Sequence, residues 1–417
     1  MELKNGENTM KETTLIAQEQ HIVILGGGYA GLTAAQRLRK LNVVAPITLI
    51  DTKPEFQERV RLSQVVAGQT TQTFQYRTFL ETLGIEFIQG QVTEFDPTAE
   101  VLTLQLTSGA ITTLPYDYLV YALGSVMNVD RVPGVREHAH TFNSVETATR
   151  INKALCHTEN ARVLVVGGGL MGIETAAELA ESLPKLCVTL ASSKLFSEEA
   201  IPGGFNKKAT DYLYQAFEKR NIKLQTGAQV KSLRSGVAEM SDGKEVAFDV
   251  CIWTGGIVAQ PLAGIAGIQV DQEGKIMTDA SLRSLSHPNI IAIGDAAQAS
   301  SDRSGNCRMG SATALAMAPA GARTLKALLA NKVPPKFNFV YLFRNISLGR
   351  HDGLVQFVDR CDIPRSKVWT GANAAIWKEF IVKGTLSIIG FSAPEKLPSI
   401  PPLRMALQLL SGQRQYQ

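Results

Sequence analysis

The chain has 417 residues, 45% of them hydrophobic and 19% charged, with a formal net charge of +4. Those values imply an ordinary globular protein of two or three domains with a large core, and they exclude a disordered or fibrous chain. Residues 1–20 are polar, lack the apolar centre of a secretory signal and read as a disordered tail. No apolar run reaches the ~18–20 residues of a membrane-spanning helix.

The first apolar run, Ile22 to Leu25, predicts a short buried strand. Gly26, Gly28 and Gly31 follow at G-x-G-x-x-G spacing, and LTAAQRLRKL after them predicts a helix. Gly26 permits the turn out of the strand. Gly28 lets a pyrophosphate reach the backbone, and Gly31 lets helix and strand pack closely. The helix N-terminus then offers free N–H groups and a positive dipole end to phosphate. A second strand, Ile47 to Ile50, ends in Asp51, where a carboxylate accepts hydrogen bonds from an adenosine ribose. A glycine turn without a ligand is the bland alternative. The flanking strand and helix, with the acid, make dinucleotide binding the better reading.

Asp51–Gln69 lies just past the second strand and contains Arg59 and Arg61. Tyr76–Leu83 predicts a helix, 84–92 a strand entering a turn, and 101–116 a β-meander. Tyr116–Ser125 predicts a buried strand that stops at Gly124. A turn-rich linker then leads to a helix from Ser144, a residue type that caps helix N-termini.

Arg162 to Gly172, RVLVVGGGLMG, repeats the strand–glycine–helix pattern, with Gly167, Gly169 and Gly172 at the same spacing. Two such units imply either two dinucleotides or one site duplicated and then lost. The retained glycines and flanking elements favour two. Aligning Val188-Thr-Leu with Ile47-Thr-Leu places Ser192 opposite Asp51, with Ser193 and Lys194 next. A carboxylate repels a 2′-phosphate, whereas a hydroxyl and a cation accept one, so NADPH is admitted there. Binding of NADH without the acid stays equally open.

A helix over Asn206–Arg220, a strand over Ile222–Gln225 and a second meander over 229–248 come next. Asp249–Ile257 is a buried strand ending in the turn Thr254-Gly255-Gly256, so the second unit repeats the order of the first. His287–Ala297 runs an apolar strand into Gly294-Asp295. That carboxylate sits at the carboxyl end of a strand, where α/β sheets bind ligands, although a plain turn Asp would look the same. Gly310–Leu329 is helical in character, with Pro319 and Gly321 as interruptions. Pro334-Pro335 marks a boundary, 336–390 predicts several strands and a helix near Ala372–Phe380, and Leu403–Leu410 is a short apolar helix candidate.

Cys156, Cys187, Cys251, Cys307 and Cys361 are scattered without a C-x-x-C pair, which fits a reducing compartment with neither structural disulfides nor a metal site. Residues 331–417 carry a net +7 and the remainder a net −3. A basic C-terminal region could touch an anionic membrane surface or an acidic partner; solvated charge accounts for it equally well. The chain reads as cytoplasmic, with a peripheral contact at the inner face of the membrane left open. Nothing in it points to nucleic acid.

The ordered set GGGYAG, DYLVYALGS, GGGLMG, DVCIWTGG and NIIAIGDAA resembles the two-dinucleotide-binding-domain flavoprotein superfamily, over roughly residues 20–330. Within it the chain is most similar to the type II NADH dehydrogenase-like and apoptosis-inducing-factor-like FAD-dependent oxidoreductases. The resemblance implies an α/β fold with two Rossmann-type dinucleotide-binding domains, the second inserted in the first, plus a C-terminal α+β region. It divides the chain into an FAD domain (21–145 and 280–330), an NAD(P)H domain (146–279) and a C-terminal interface or acceptor region (331–417). Gly26, Gly28, Gly31 and Asp51 would hold the ADP half of FAD, with Val92 near adenine, Gly124 near the pyrophosphate, and Gly294 and Asp295 near the ribityl chain. Gly167, Gly169, Gly172, Thr254 and Gly255, with Ser192 and Lys194, would hold NADH or NADPH. Glu174 is the candidate catalytic residue, facing nicotinamide and flavin and positioning the carboxamide. Its alternative role is that of an acid favoured by the helix dipole.

The implied activity is hydride transfer from NAD(P)H to flavin N5 and then two electrons to a quinone or other small acceptor, with the protein supplying orientation and electrostatics. The chain departs from two branches of the superfamily. No cysteine lies between Gly31 and Gly124, and only Cys156 lies between there and Gly167, so an internal redox dithiol is missing. The stretch Ser311–Gly321 lacks the glutamines usual in quinone reducers. A redox-signalling flavoprotein of slow turnover and a metabolite-specific tailoring oxidoreductase therefore remain alternatives, as does a homodimer.

Overall fold

The computed structural model describes residues 20–158, 160–196 and 204–391. The polar tail read over residues 1–20, except Gln20, and the helix candidate Leu403–Leu410 lie outside the described residues.

The chain opens with strand β1 (Ile22–Leu25), helix α1 (Tyr29–Lys40) and strand β2 (Ile47–Asp51). All four residues of β1 are buried, as expected of an aliphatic run covered on both faces. A short helix α2 (Leu62–Val66) leads on to β3 (Glu86–Asp96), β4 (Val101–Leu106), β5 (Ile111–Pro115) and β6 (Tyr118–Tyr121). Helix α3 (Val145–Cys156) begins at Ser144, whose hydroxyl accepts from the Thr147 N–H in a capping box.

The second unit comprises β7 (Arg162–Val166), α4 (Leu170–Ser182), β8 (Cys187–Ser192), α5 (Lys207–Lys219), β9 (Lys223–Thr226) and β10 (Val250–Trp253). The chain then returns with β11 (Ile290–Ala292) and α6 (Ser311–Leu329). It finishes with β12 (Phe343–Ser347), β13 (Gly353–Val358), β14 (Pro364–Thr370) and α7 (Gly371–Ile389).

One seven-stranded sheet has the order β11-β6-β1-β2-β3-β4-β5. Its β11-β6-β1-β2-β3 part is parallel, and β3 then bends. Glu86–Gln89 pair in parallel with β2, while Gly90–Asp96 pair antiparallel with β4. A separate parallel sheet, β9-β8-β7-β10, is made by residues lying between β6 and β11 in sequence, so the second unit is inserted in the first. A two-stranded antiparallel ribbon, Ser125–Met127 with Ile257–Ala259, links the units just beyond the carboxyl ends of β6 and β10. The C-terminal sheet β12-β13-β14 is antiparallel. Its Ile346 and Leu354 join the core of the inserted unit, and Val355 packs with Ala374 and Trp377 of α7.

Two expectations change in the structure. Pro319 and Gly321 do not interrupt α6, which runs unbroken from Ser311 to Leu329 with Pro319 inside. Pro319 can only forgo its own N–H, and the helix is carried by burial. Gly321 packs against the side chains of Ile293 and Ile291, a close approach that a larger residue would block. The helix placed near Ala372–Phe380 extends to Ile389, because the apolar residues beyond Phe380 reach the core of the first unit through Leu386 and Ile389. Just past it, Phe391 stacks on Phe74 at 4.4 Å between ring centres.

Candidate functional site

The first glycine loop leaves β1 through Gly26, at φ +104, where a side chain would strike the Ala122 carbonyl oxygen at 2.5 Å. A side chain at Gly31 would run into the Gly26 carbonyl, whereas one at Gly28 would meet open space. Gly28 is the N-cap of α1. It supplies no side-chain cap, and no acid lies in the first turn. The loop is therefore closed on the strand side and open beside bare helix N–H groups, a cradle shaped for a diphosphate.

Asp51 at the end of β2 reaches back to that loop. Its Oδ2 accepts from the Gly27 N–H at 2.7 Å and its Oδ1 from the Lys53 N–H at 2.9 Å. The Tyr76 hydroxyl donates to the Gly27 carbonyl at 2.8 Å. Burial, with Asp51 and Glu55 nearby, pushes the Tyr76 phenol well above its ordinary range, so it stays a donor. The Arg59 guanidinium donates to the Ser125 carbonyl at 3.1 Å and lies beside Gly124, where the space next to the glycine opens toward it. Asp295 follows β11, past Gly294 at φ +71. It accepts from the Ser125 hydroxyl at 2.6 Å and from the Gly310 N–H at 2.7 Å. Gly310 is the N-cap of α6, again without a side-chain cap. Val92 is half-buried in the antiparallel part of β3, just past the change of pairing and beside an irregularity in its register with β4. The donor set fits FAD: two uncapped helix N-termini and an arginine suit the diphosphate, and two placed carboxylates suit sugar hydroxyls.

The second loop has the same build. Gly167 lies at φ +130, Gly169 is an uncapped helix N-cap facing open space, and Gly172 is pressed against the Gly167 carbonyl. Thr254 is placed behind this loop. Its hydroxyl donates to the Val166 carbonyl at 2.9 Å and fills the space beside Gly167 and Gly172, which leaves Gly255 at the loop surface. Ser192 ends β8 against Gly168, and exposed Lys194 lies on the turn after it.

Glu174 stands in the second turn of α4 and meets the C-terminal elements. Its Oε1 accepts from the Ser347 N–H at 3.1 Å and from the Lys378 ammonium of α7. Their side chains are 13% and 10% exposed. One turn on, the fully buried Glu178 accepts from the Ser347 hydroxyl at 2.7 Å, from Arg350 at 2.9 Å and from Gln69 at 3.1 Å. Arg61, just before α2, donates twice to Glu379 of α7 and once to Glu58. Burial raises the Glu58 carboxyl despite Arg61, whereas the Arg61 hydrogen bonds hold Glu379 below the usual carboxylate range. All three parts of the chain thus meet at α4.

Sequence reading missed Tyr76, Ser125, Gly310, Ser347 and Lys378. Ser125 adjoins Gly124, and the Gly310 helix start was visible, but Lys378 lies 204 residues from its partner and carries no local signal. All five cysteines are free thiols. Among the described residues, no helix is long and apolar enough to cross a membrane.

Residues 20–318 match the model of the pyridine nucleotide-disulphide oxidoreductase family. The chain is 27% identical over 384 residues to the alternative NAD(P)H-ubiquinone oxidoreductase C1 of Arabidopsis thaliana, covering 80% of this chain and 72% of that one. It is 26% identical over 343 residues to the external alternative NAD(P)H-ubiquinone oxidoreductase B1 of Solanum tuberosum, covering 71% of this chain but only 58% of that one. Among solved structures, NDH2 from Plasmodium falciparum in complex with NADH superposes with a TM-score of 0.73 at 17% identity, over 95% of this chain and 98% of that one. The chain belongs to the pyridine nucleotide-disulphide oxidoreductase family and is an oxidoreductase whose cofactors are FAD and NAD(P)H.

Proposed function

We propose that the protein is an NAD(P)H:quinone oxidoreductase. Its curated relatives named above are NAD(P)H-ubiquinone oxidoreductases, and the absence of a paired dithiol removes the internal disulfide route. The observation that carries the reading is the meeting at α4. The helix that starts at the second nucleotide loop passes Glu174 between Ser347 and Lys378, at the junction with the C-terminal sheet and α7.

Bound FAD would supply the two-electron redox chemistry that links NAD(P)H to the acceptor. The chain supplies the rest. The N–H groups of α1 and the Arg59 guanidinium would hold the diphosphate, Asp51 the adenosine ribose and Asp295 a ribityl hydroxyl. Val92 would lie near adenine. The Gly167–Gly172 loop, with Gly255, would hold the nicotinamide nucleotide. Lys378 and the Ser347 N–H fix one oxygen of Glu174. The other oxygen makes no hydrogen bond among the described residues and is left to orient the nicotinamide carboxamide.

Anaerobic stopped-flow reduction of the holoenzyme by NAD(P)H, followed by mixing with a soluble ubiquinone analogue, tests the reading. Fast reduction and fast quinone-dependent reoxidation are expected. Fast reduction with reoxidation by quinone no faster than the buffer control would reject the quinone.

A further inference from the structure

We infer that the nucleotide taken by the second site is the 2′-phosphorylated one, NADPH, and that Ser192, Thr226 and Lys194 select it. This rests on the reading of the Gly167–Gly172 loop as the NAD(P)H site.

The two glycine units differ at one partner. In the first, Asp51 ends β2 and its carboxylate accepts the N–H of Gly27, the residue between the first two motif glycines. In the second, Ser192 ends β8 and touches Gly168, the residue in the same place. Ser192 therefore occupies in space the position that Asp51 occupies in the other unit. A carboxylate there accepts from both free hydroxyls of an adenosine ribose, and it repels a phosphomonoester at the 2′ position. A serine hydroxyl donates to a phosphate oxygen and carries no charge against it.

The surroundings point the same way. Parallel pairing of β8 with β9 sets Thr226 directly beside Ser192, with Thr226 exposed at the strand end. The Gly227 N–H donates to the Ser193 carbonyl at 3.3 Å, which holds the turn carrying Lys194 against the same corner. Two hydroxyl residues thus lie side by side at the ends of adjoining strands, with a lysine on the turn that follows. Between Leu183 and Phe196, and between Lys219 and Ala238, the chain contains no Asp or Glu. Among the described residues, the strands and turns that build this corner therefore bring no carboxylate of their own to oppose a dianion.

The test is binding of adenosine 2′,5′-bisphosphate and of AMP, which differ only by the 2′-phosphate, to the FAD-loaded protein by isothermal calorimetry. The bisphosphate is expected to bind about tenfold tighter or more, the worth of one charge-assisted contact, with the gap narrowing as salt rises. Ser192→Asp should reverse the order, with its flavin absorbance showing that the fold is kept. Lys194→Ala should weaken the bisphosphate by about tenfold while changing AMP much less. Equal affinities in the unmodified protein, or tighter AMP, would overturn the selectivity and leave the nucleotide site standing. Binding of neither compound would instead overturn the reading of the second loop.

Discussion

Lys378→Met removes one half of a buried ion pair and leaves the other half in place. Glu174 and Lys378 are 13% and 10% exposed, so water reaches little of either. After the substitution Glu174 keeps only the Ser347 N–H, at 3.1 Å, on its paired oxygen. Breaking a buried pair by removing one partner costs about 3–5 kcal/mol, and the surviving N–H and residual exposure place this case near the lower end, about 3 kcal/mol. Urea unfolding followed by tryptophan fluorescence, which Trp377 next in sequence should report, measures it. Glu174→Gln with Lys378→Met removes the stranded charge and should cost about 1–2 kcal/mol less than Lys378→Met alone. A cost below about 1 kcal/mol for Lys378→Met, or a double variant as unstable as the sum of the singles, would refute a coupled buried pair.

Asp51→Ala leaves the Gly27 N–H without its charged acceptor and should weaken FAD retention by about 10–100-fold, read as the flavin-to-protein absorbance ratio after dialysis; full retention would remove the proposed ribose role. Glu174→Gln should slow hydride transfer in single-turnover stopped flow without releasing FAD, whereas unchanged kinetics would return Glu174 to a packing role. Thr254→Val deletes the hydroxyl that bonds the Val166 carbonyl, which keeps the Thr254 N–H at 2.9 Å, and should therefore cost about 0.5–1.5 kcal/mol of stability, measured by urea unfolding. Burial raises the folded-state pKa of Glu58 above its ordinary value of 4.5, so the native state binds that proton more tightly than the unfolded chain does. Its contribution to stability is therefore present below pH 4.5 and lost as pH rises through the raised value; Glu58→Gln should gain on the unmodified protein over that window in denaturation curves, and a pH-independent difference would contradict the sign.

Both glycine loops, their flanking strands and helices, and the strand-end residues Asp51, Ser192 and Asp295 are legible in the sequence. Each depends on chemistry spanning a few residues: a turn only glycine can make, a buried aliphatic run, or a side chain fixed at the end of a strand. The sequence alone likewise exposes the exchange of Asp51 for Ser192 between the two units and the lack of a dithiol segment. Tertiary structure alone decides what those groups touch. Ser125 reaches Asp295 across 170 residues, and Lys378 reaches Glu174 across 204, because strand order and helix packing bring them together where no periodicity signals it. The same holds for α6. Pro319 reads locally as a break, yet the helix continues, since the burial of its apolar face and the fit of Gly321 against Ile291 and Ile293 outweigh one missing hydrogen bond.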